Sequence, residues 1–313
     1  MILDIYETYN ADQHCSQRWK RWEHHRNTIS AILAAKVFAR GSLQHAAVLG
    51  AGRCEDLDLK FLLKRVDTLT LMDYDTGSME RALERQQLTS QERQQIHLQG
   101  GLEFTGFYQE AFLRHIEGQM KEKRPAEQIL AQIRQQLAEA DPEWIHQLEQ
   151  PAYDLVISGA VHSQLIVPYA ELAAANPDYT SALMGEAASM ADRLAEIYNR
   201  CLTKLVAEDG WLFAYCDSAE LSDRSGLLAY EEIIGGLLAQ EEYAQIDELF
   251  LQGGGVAGAR QGYQDLRCWA QAYEPYEKYW IWPFRENKKY YVRSLCAKKT
   301  PQEQPSFRDL KSK

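Results

Sequence analysis

Short apolar runs, separated by longer stretches of helical periodicity, set the plan of the chain. Ala46-Ala47-Val48-Leu49, Leu69-Thr70-Leu71-Met72 and the run YDLVIS from Tyr153 to Ser158 are nearly continuous in apolar character. That is the pattern of strands buried on both faces. Ile96-His97-Leu98 and Trp211 to Cys216 read as a third and a fifth strand. Between them lie helical patterns: Leu57, Leu59, Leu62 and Leu63; the stretch after Asp73, capped by Ser78 or Thr76, with Asp75 either a further cap or a support behind a binding site; and Leu183 to Leu205. Strands alternating with helices predict βαβ units and a mostly parallel sheet. Near the end, Lys278 to Phe284 and Tyr290 to Cys296 flank a short polar connection and read as a hairpin. Residues 11–40 carry Trp19, Trp22, Ile29, Ile32, Leu33 and Val37 on one stripe, a helix that either packs on the sheet edge or covers a site. Residues 107–150 are charged and helical in pattern, with Pro125 and Pro142 marking helix starts, and exceed what one crossover needs. Residues 218–251 read as acidic helix, and 251–262 as a flexible glycine loop without phosphate-loop spacing. The expected domain plan is a helical segment over 1–40, one α/β domain over 41–297 with the insertion 107–150, and a disordered polar tail over 298–313.

The stretch from His45 to Asp75 carries the first chemistry. Gly50-Ala51-Gly52 follows a buried strand, where a sharp turn lets a ligand approach bare backbone. Asp73, about 20 residues on, ends the next strand, where a carboxylate can accept hydrogen bonds from both hydroxyls of a ribose. A dinucleotide fingerprint would place its third glycine at Glu55. A carboxylate there would face a pyrophosphate at a helix N-terminus, the wrong charge for that site. S-adenosylmethionine (SAM), which has no phosphate and carries a sulfonium and an ammonium, fits the acid.

At this point the chain resembles the class I SAM-dependent methyltransferases. VLGAGRCEDLDL is similar to their first motif, TLMDYD to their second and YDLVIS to their fourth. The resemblance implies a doubly wound, mostly parallel seven-stranded sheet whose last strand runs antiparallel, with helical insertions. It implies SAM as cofactor, held by Gly50, Ala51, Gly52, Asp73, Tyr74, Ser158 and Gly159, with Glu103 in the loop after the third strand near the adenine. Glu103 read by itself is equally a solvent-exposed loop acid. Residues 158 to 164 would border the reacting methyl group. His162 is the general-base candidate, because its ordinary pKa lies near neutrality; the alternative is a histidine that caps a helix or bonds backbone. Ser163, Gln164 and Tyr169 are candidates to orient a polar substrate. Trp280, Trp282, Phe284, Tyr290 and Tyr291 are either sheet core or the wall of a substrate pocket. The Asn-Pro-Pro-aromatic signature of enzymes that methylate base or amide nitrogens is absent. Val48 stands where the family often has an acid, and Cys54 where it has a third glycine, which leaves a non-catalytic scaffold as an alternative. An NAD(P)-dependent oxidoreductase is the other.

Composition narrows the partners. A net charge of -11 and 45% apolar residues over 313 positions describe a globular protein without broad electrostatic affinity for nucleic acid or anionic membrane. A small-molecule substrate is the expected partner. No apolar run approaches the roughly 18 residues of a bilayer span. The six cysteines are scattered without a CxxC pair, so reduced thiols, no bound metal and a cytoplasmic location are expected.

Overall fold

The computed structural model describes residues 17–146, 153–251 and 253–300. Its centre is a seven-stranded sheet: β1 Leu43–Leu49, β2 Val66–Met72, β3 Ile96–Gln99, β4 Tyr153–Gly159, β5 Val206–Ser222, β6 Tyr276–Arg285 and β7 Lys288–Lys298. The spatial order is β3-β2-β1-β4-β5-β7-β6. β1, β2, β3, β4 and β5 run parallel; β7 pairs antiparallel with both β5 and β6. This is the doubly wound sheet with an antiparallel C-terminal hairpin that the resemblance implies.

Burial on both faces explains the continuous apolar runs. Ala46, Val48, Leu69, Leu71, Leu155, Ile157 and Phe213 pack on one face, Ala47, Leu49, Met72, Val156, Leu212 and Ala214 on the other. Helices cover both. In chain order they are α1 Arg18–Arg21, α2 Glu23–Lys36, α3 Leu59–Leu63, α4 Thr76–Arg85, α5 Ser90–Gln94, α6 Glu110–Lys121, α7 Ala126–Glu139, α8 Val167–Ala175, α9 Thr180–Leu205, α10 Glu231–Ala239, α11 Tyr243–Leu251 and α12 Ala259–Ala270. α2 joins the first face through Ile29, Ile32 and Leu33; α6, α7, α9 and α12 build the second. Among the described residues, no helix is long and apolar enough to cross a membrane.

Several local expectations are corrected. Of the three candidate caps of α4 it is Asp75 that serves, its Oδ1 accepting from Ser78 N at 2.9 Å, and not Ser78 or Thr76. β5 is much longer than Trp211 to Cys216, because β7 pairs with it as far as Ser222 and so satisfies backbone that lies beyond the apolar run. The glycine loop is pinned rather than free: Glu220 N donates to Gly254 O and Val256 N to Ser218 O, and α12 begins at Ala259. Lys298 belongs to β7, not to a tail; the rest of the expected disorder, from residue 301 on, lies outside the described residues, as do 11–16 of the N-terminal helical stretch and 147–150 of the insertion.

The chain leaves β1 toward β2 and β3, then returns to the other side of β1 as β4. The C-terminal ends of β1 and β4 therefore diverge at a switch point, the place where open α/β sheets form a crevice.

Candidate functional site

A cleft of about 1140 Å³, the space open to solvent included, lies over these strand ends. It collects residues from remote parts of the chain. Gly50 to Asp56 come from β1, Asp73 and Tyr74 from β2, Leu102 to Phe104 from β3, Gly159 to Val161 and Ser163 to Leu165 from β4 and Asp217 from β5. Arg18 and Trp22 close one side from the N-terminal helices, and Trp282, Phe284 and Tyr290 from the hairpin.

The glycine turn is tight for a reason. Gly50 takes φ +69°, and a Cβ there would stand 2.2 Å from Val161 Cγ2. Gly52 takes φ +46° with open space where a Cβ would be, so bare backbone faces the cleft. Cys54 also has a left-handed φ of 45°, unfavourable for a side chain with a Cβ. Its backbone is held by Gln86 at the C-cap of α4, whose Nε2 donates to Cys54 O at 2.9 Å and Leu57 O at 3.0 Å while Oε1 accepts from Leu59 N. Gln86 carries no local motif, and sequence reasoning missed it.

Asp73 sits at the tip of β2, as the spacing predicts. Its Oδ2 accepts from Gly52 N at 2.8 Å and its Oδ1 from Asp75 N at 2.9 Å. Burial raises its pKa, and these two backbone donors oppose the rise. Each oxygen keeps a second lone pair for a ligand. Glu103 lines the cleft rather than standing in solvent; Thr105 donates to it from both backbone N and hydroxyl, at 3.0 and 2.6 Å. Burial raises its pKa too.

Acids crowd the segment between the turn and α3. Asp58 caps that helix through Phe61 N, and Glu55 and Asp56 line the cleft. Glu55 accepts from Arg18 Nη1 at 2.7 Å. Asp56 receives the Tyr215 hydroxyl, and burial pushes its pKa up to about 6. A pyrophosphate would meet carboxylates where it needs donors.

Four sequence candidates, Gly159, Ser163, Gln164 and Tyr74, join Gly50, Ala51, Gly52, Asp73 and Glu103 around the cleft. Three do not. His162 is fully buried away from it: Nε2 bonds Asn199 Oδ1 at 2.7 Å, Nδ1 lies 3.3 Å from Cys216 Sγ, and Gly262 of α12 packs against the ring. Burial lowers its pKa to about 4, which favours the neutral ring in the interior. Ser158 turns its hydroxyl to Tyr198 of α9 at 2.9 Å, on the opposite face of the sheet from Ile157. Tyr169 is core, donating to Leu183 O at 2.8 Å. Of the aromatics, Trp282, Phe284 and Tyr290 line the cleft, while Trp280 and Tyr291 are interior. Among the described residues, no group of three or more His, Cys, Asp or Glu side chains could hold a metal.

Asp217 directly follows the apolar run Trp211 to Cys216 and belongs to no sequence motif. It is 5% exposed, lines the cleft at the β5 end, and its Oδ1 has no hydrogen-bond partner. Burial pushes its pKa up to about 7, with Ser163 offsetting part of the rise.

No family profile matches the sequence, and no curated protein does. Solved structures with a similar arrangement include the N-methyltransferase NodS from Bradyrhizobium japonicum WM9 in complex with S-adenosyl-L-homocysteine (SAH). It is 11% identical, with 94% of this chain and 98% of that one covered and a TM-score of 0.43. A putative O-methyltransferase from Klebsiella pneumoniae is 10% identical over 88% and 80%, TM-score 0.41. An O-methyltransferase family protein from Burkholderia thailandensis is 11% identical over 88% and 57%, TM-score 0.39. Likenesses of this size carry no argument about activity; what the cleft can bind is read from its own residues.

Proposed function

We propose that the chain is a SAM-dependent methyltransferase of the class I type acting on a small molecule. The observation that carries this reading is the company kept by the glycine turn: carboxylates where a dinucleotide would need phosphate donors, and a ribose-type acid, Asp73, bonded directly to Gly52. Five carboxylates and two guanidiniums line the cleft, and Arg18 is already paired with Glu55. Such a field favours a ligand carrying positive charge. Gly50, Ala51 and Gly52 would approach the cofactor, Asp73 would hold the ribose, Tyr74 and Glu103 would flank the adenine, and Gly159 would leave room at the β4 end. SAM, when bound, supplies a methyl group on a sulfonium that departs as a neutral thioether. The protein's part is alignment and exclusion of water, since a good leaving group needs little acid–base help. Ser163 and Gln164, whose side chains both donate to Ala160 O at 3.3 Å, fix the loop that would face the acceptor.

The test is thermal unfolding with SAM, SAH, NAD or NADP added separately. A ligand at a hundred times its Kd adds about 2.7 kcal/mol of stability. The midpoint should rise with SAM and SAH and stay put with NAD and NADP. Asp73→Ala should weaken SAH at least tenfold, as the loss of one charged contact of roughly 1.5–3 kcal/mol requires. A rise with NAD alone would overturn the reading of the turn.

A further inference from the structure

We infer that the methyl acceptor is a basic amine, received by Asp217 at the β5 end of the cleft against the wall of Trp282, Phe284 and Tyr290. The inference rests on the methyl-donor reading of the same cleft and deepens it.

Three observations converge on Asp217. Its carboxyl group is nine-tenths buried and opens into the cleft with Oδ1 unpartnered. A buried carboxylate is costly unless something pairs with it. Second, the nearby cations are committed elsewhere. Lys288 on β7 pairs with Glu220 at 2.7 Å and Arg293 with Asp247, and among the described residues no basic side chain forms an ion pair with Asp217. Third, its place is complementary to that of Asp73. The strand order β2-β1-β4-β5 puts three strand spacings, roughly 14 Å, between the tip of β2 and the strand that carries Asp217. A ribose at Asp73 leaves the far end of the cleft for the acceptor, and that end holds Asp217, Ser163 and the aromatic side chains. A cation beside a carboxylate and above aromatic faces is held by both.

The same carboxylate completes the proton balance. An ammonium entering the site gives one proton to Asp217 and is left with a free electron pair on nitrogen. That pair forms the new N–C bond as the C–S bond of SAM breaks, and the C–S electrons stay on sulfur. Nitrogen ends as a methylammonium, sulfur as the thioether of SAH, and the proton on Asp217 leaves to water when product departs.

The experiment uses two probes that share a ring and a two-carbon chain, 2-phenylethylamine and 2-phenylethanol. Each is titrated by calorimetry into the full-length protein saturated with SAH. The amine is expected to bind at least tenfold tighter than the alcohol. Asp217→Asn should remove that preference, leave SAH affinity within twofold and not lower the melting temperature. Asp217→Ser is the second variant, so that a poorly folded amide does not end the test. Equal binding of the two probes, binding of neither, or an Asp217→Asn change that weakens SAH as much as the amine would overturn the inference. A protein that binds no SAH at all defeats the methyl-donor reading instead. The probes are then titrated into the free protein, where an Asp217-dependent preference for the amine still supports the amine site and its absence overturns it.

Discussion

His162 and Asp217 lie close in the fold, beyond β4 and on β5, and burial drives their protonation equilibria in opposite directions. Desolvation is the largest cause for both; it disfavours the charged form of each. For His162 the folded pKa, about 4, lies below the ordinary value of 6.5. The unfolded chain then binds more protons between those values, so stability rises with pH through that window and is level above it. For Asp217 the folded pKa, about 7, lies above the ordinary 3.8, with Lys288 opposing and Glu220 adding to the rise. There the folded chain binds more protons, and stability falls as pH climbs from about 4 to about 7. Because the two trends oppose each other in the wild type, each is read as a difference. Relative to His162→Gln, the wild type should lose stability on going down from pH 6.5 to 4. Relative to Asp217→Asn, it should lose stability on going up over 4 to 7. Urea unfolding at five pH values measures both, and a flat difference for either variant would mean that its group is not buried in its neutral form. The pair also shows where sequence reasoning stops. Asp73 and the glycines were legible because a turn and a strand tip are local features. His162 sits in the right loop by number. However, the backbone reverses at Ala160, with φ +48°, and the side chain goes to Asn199 of α9. That direction is set by packing between elements far apart in sequence.

At the scale of elements, the N-terminal helices do more than pack. Trp22 donates through Nε1 to Phe284 O at 3.1 Å, and the His25 ring stacks on Trp282 with centroids 4.2 Å apart. Arg18 pairs with Glu55, and Arg26 donates to Glu55 O at 2.8 Å. One helical segment thus ties the hairpin to the glycine turn. Glu55, only 5% exposed, has a second and longer partner in Arg85 at 3.4 Å. Arg18→Gln should therefore cost about 1–3 kcal/mol, less than the 3–5 of a buried charge left wholly alone. Adding Glu55→Gln should restore much of that loss, since the stranded charge is then gone. Thermal unfolding of the two single variants and the double gives the coupling. A double variant no better than Arg18→Gln would show that Arg18 contributes packing and not its charge. The apolar stripe of this segment was plain in the sequence, and its packing on the sheet is visible in the contacts. The ion pair was not legible, because nothing in a string of charged residues says which acid, 37 positions on, an arginine will meet.

At the scale of the whole molecule, the cleft is assembled from seven stretches of chain that meet only because the sheet is wound from β1 outward in both directions. A ligand spanning from Asp73 toward Asp217 touches the ends of β2, β1, β4 and β5 at once, so its binding energy is shared among elements that otherwise open separately. Hydrogen exchange reads that sharing, because amides exchange through local openings whose cost a bound ligand raises. Adding SAH should slow exchange at residues 50–56, 73–75, 102–105 and 159–165. It should also slow 18–26, through Arg18, Arg26 and the wall at Trp22. Helices α6 and α7 pack on the opposite face through Ile116, Ile129 and Ile133 and contribute no residue to the cleft, so their rates should not move. Protection at the glycine turn without protection at 18–26 would make the N-terminal helices a fixed brace for the hairpin. Protection at both would make them part of the binding site, and the affinity for SAH should then fall in Arg18→Gln along with its stability.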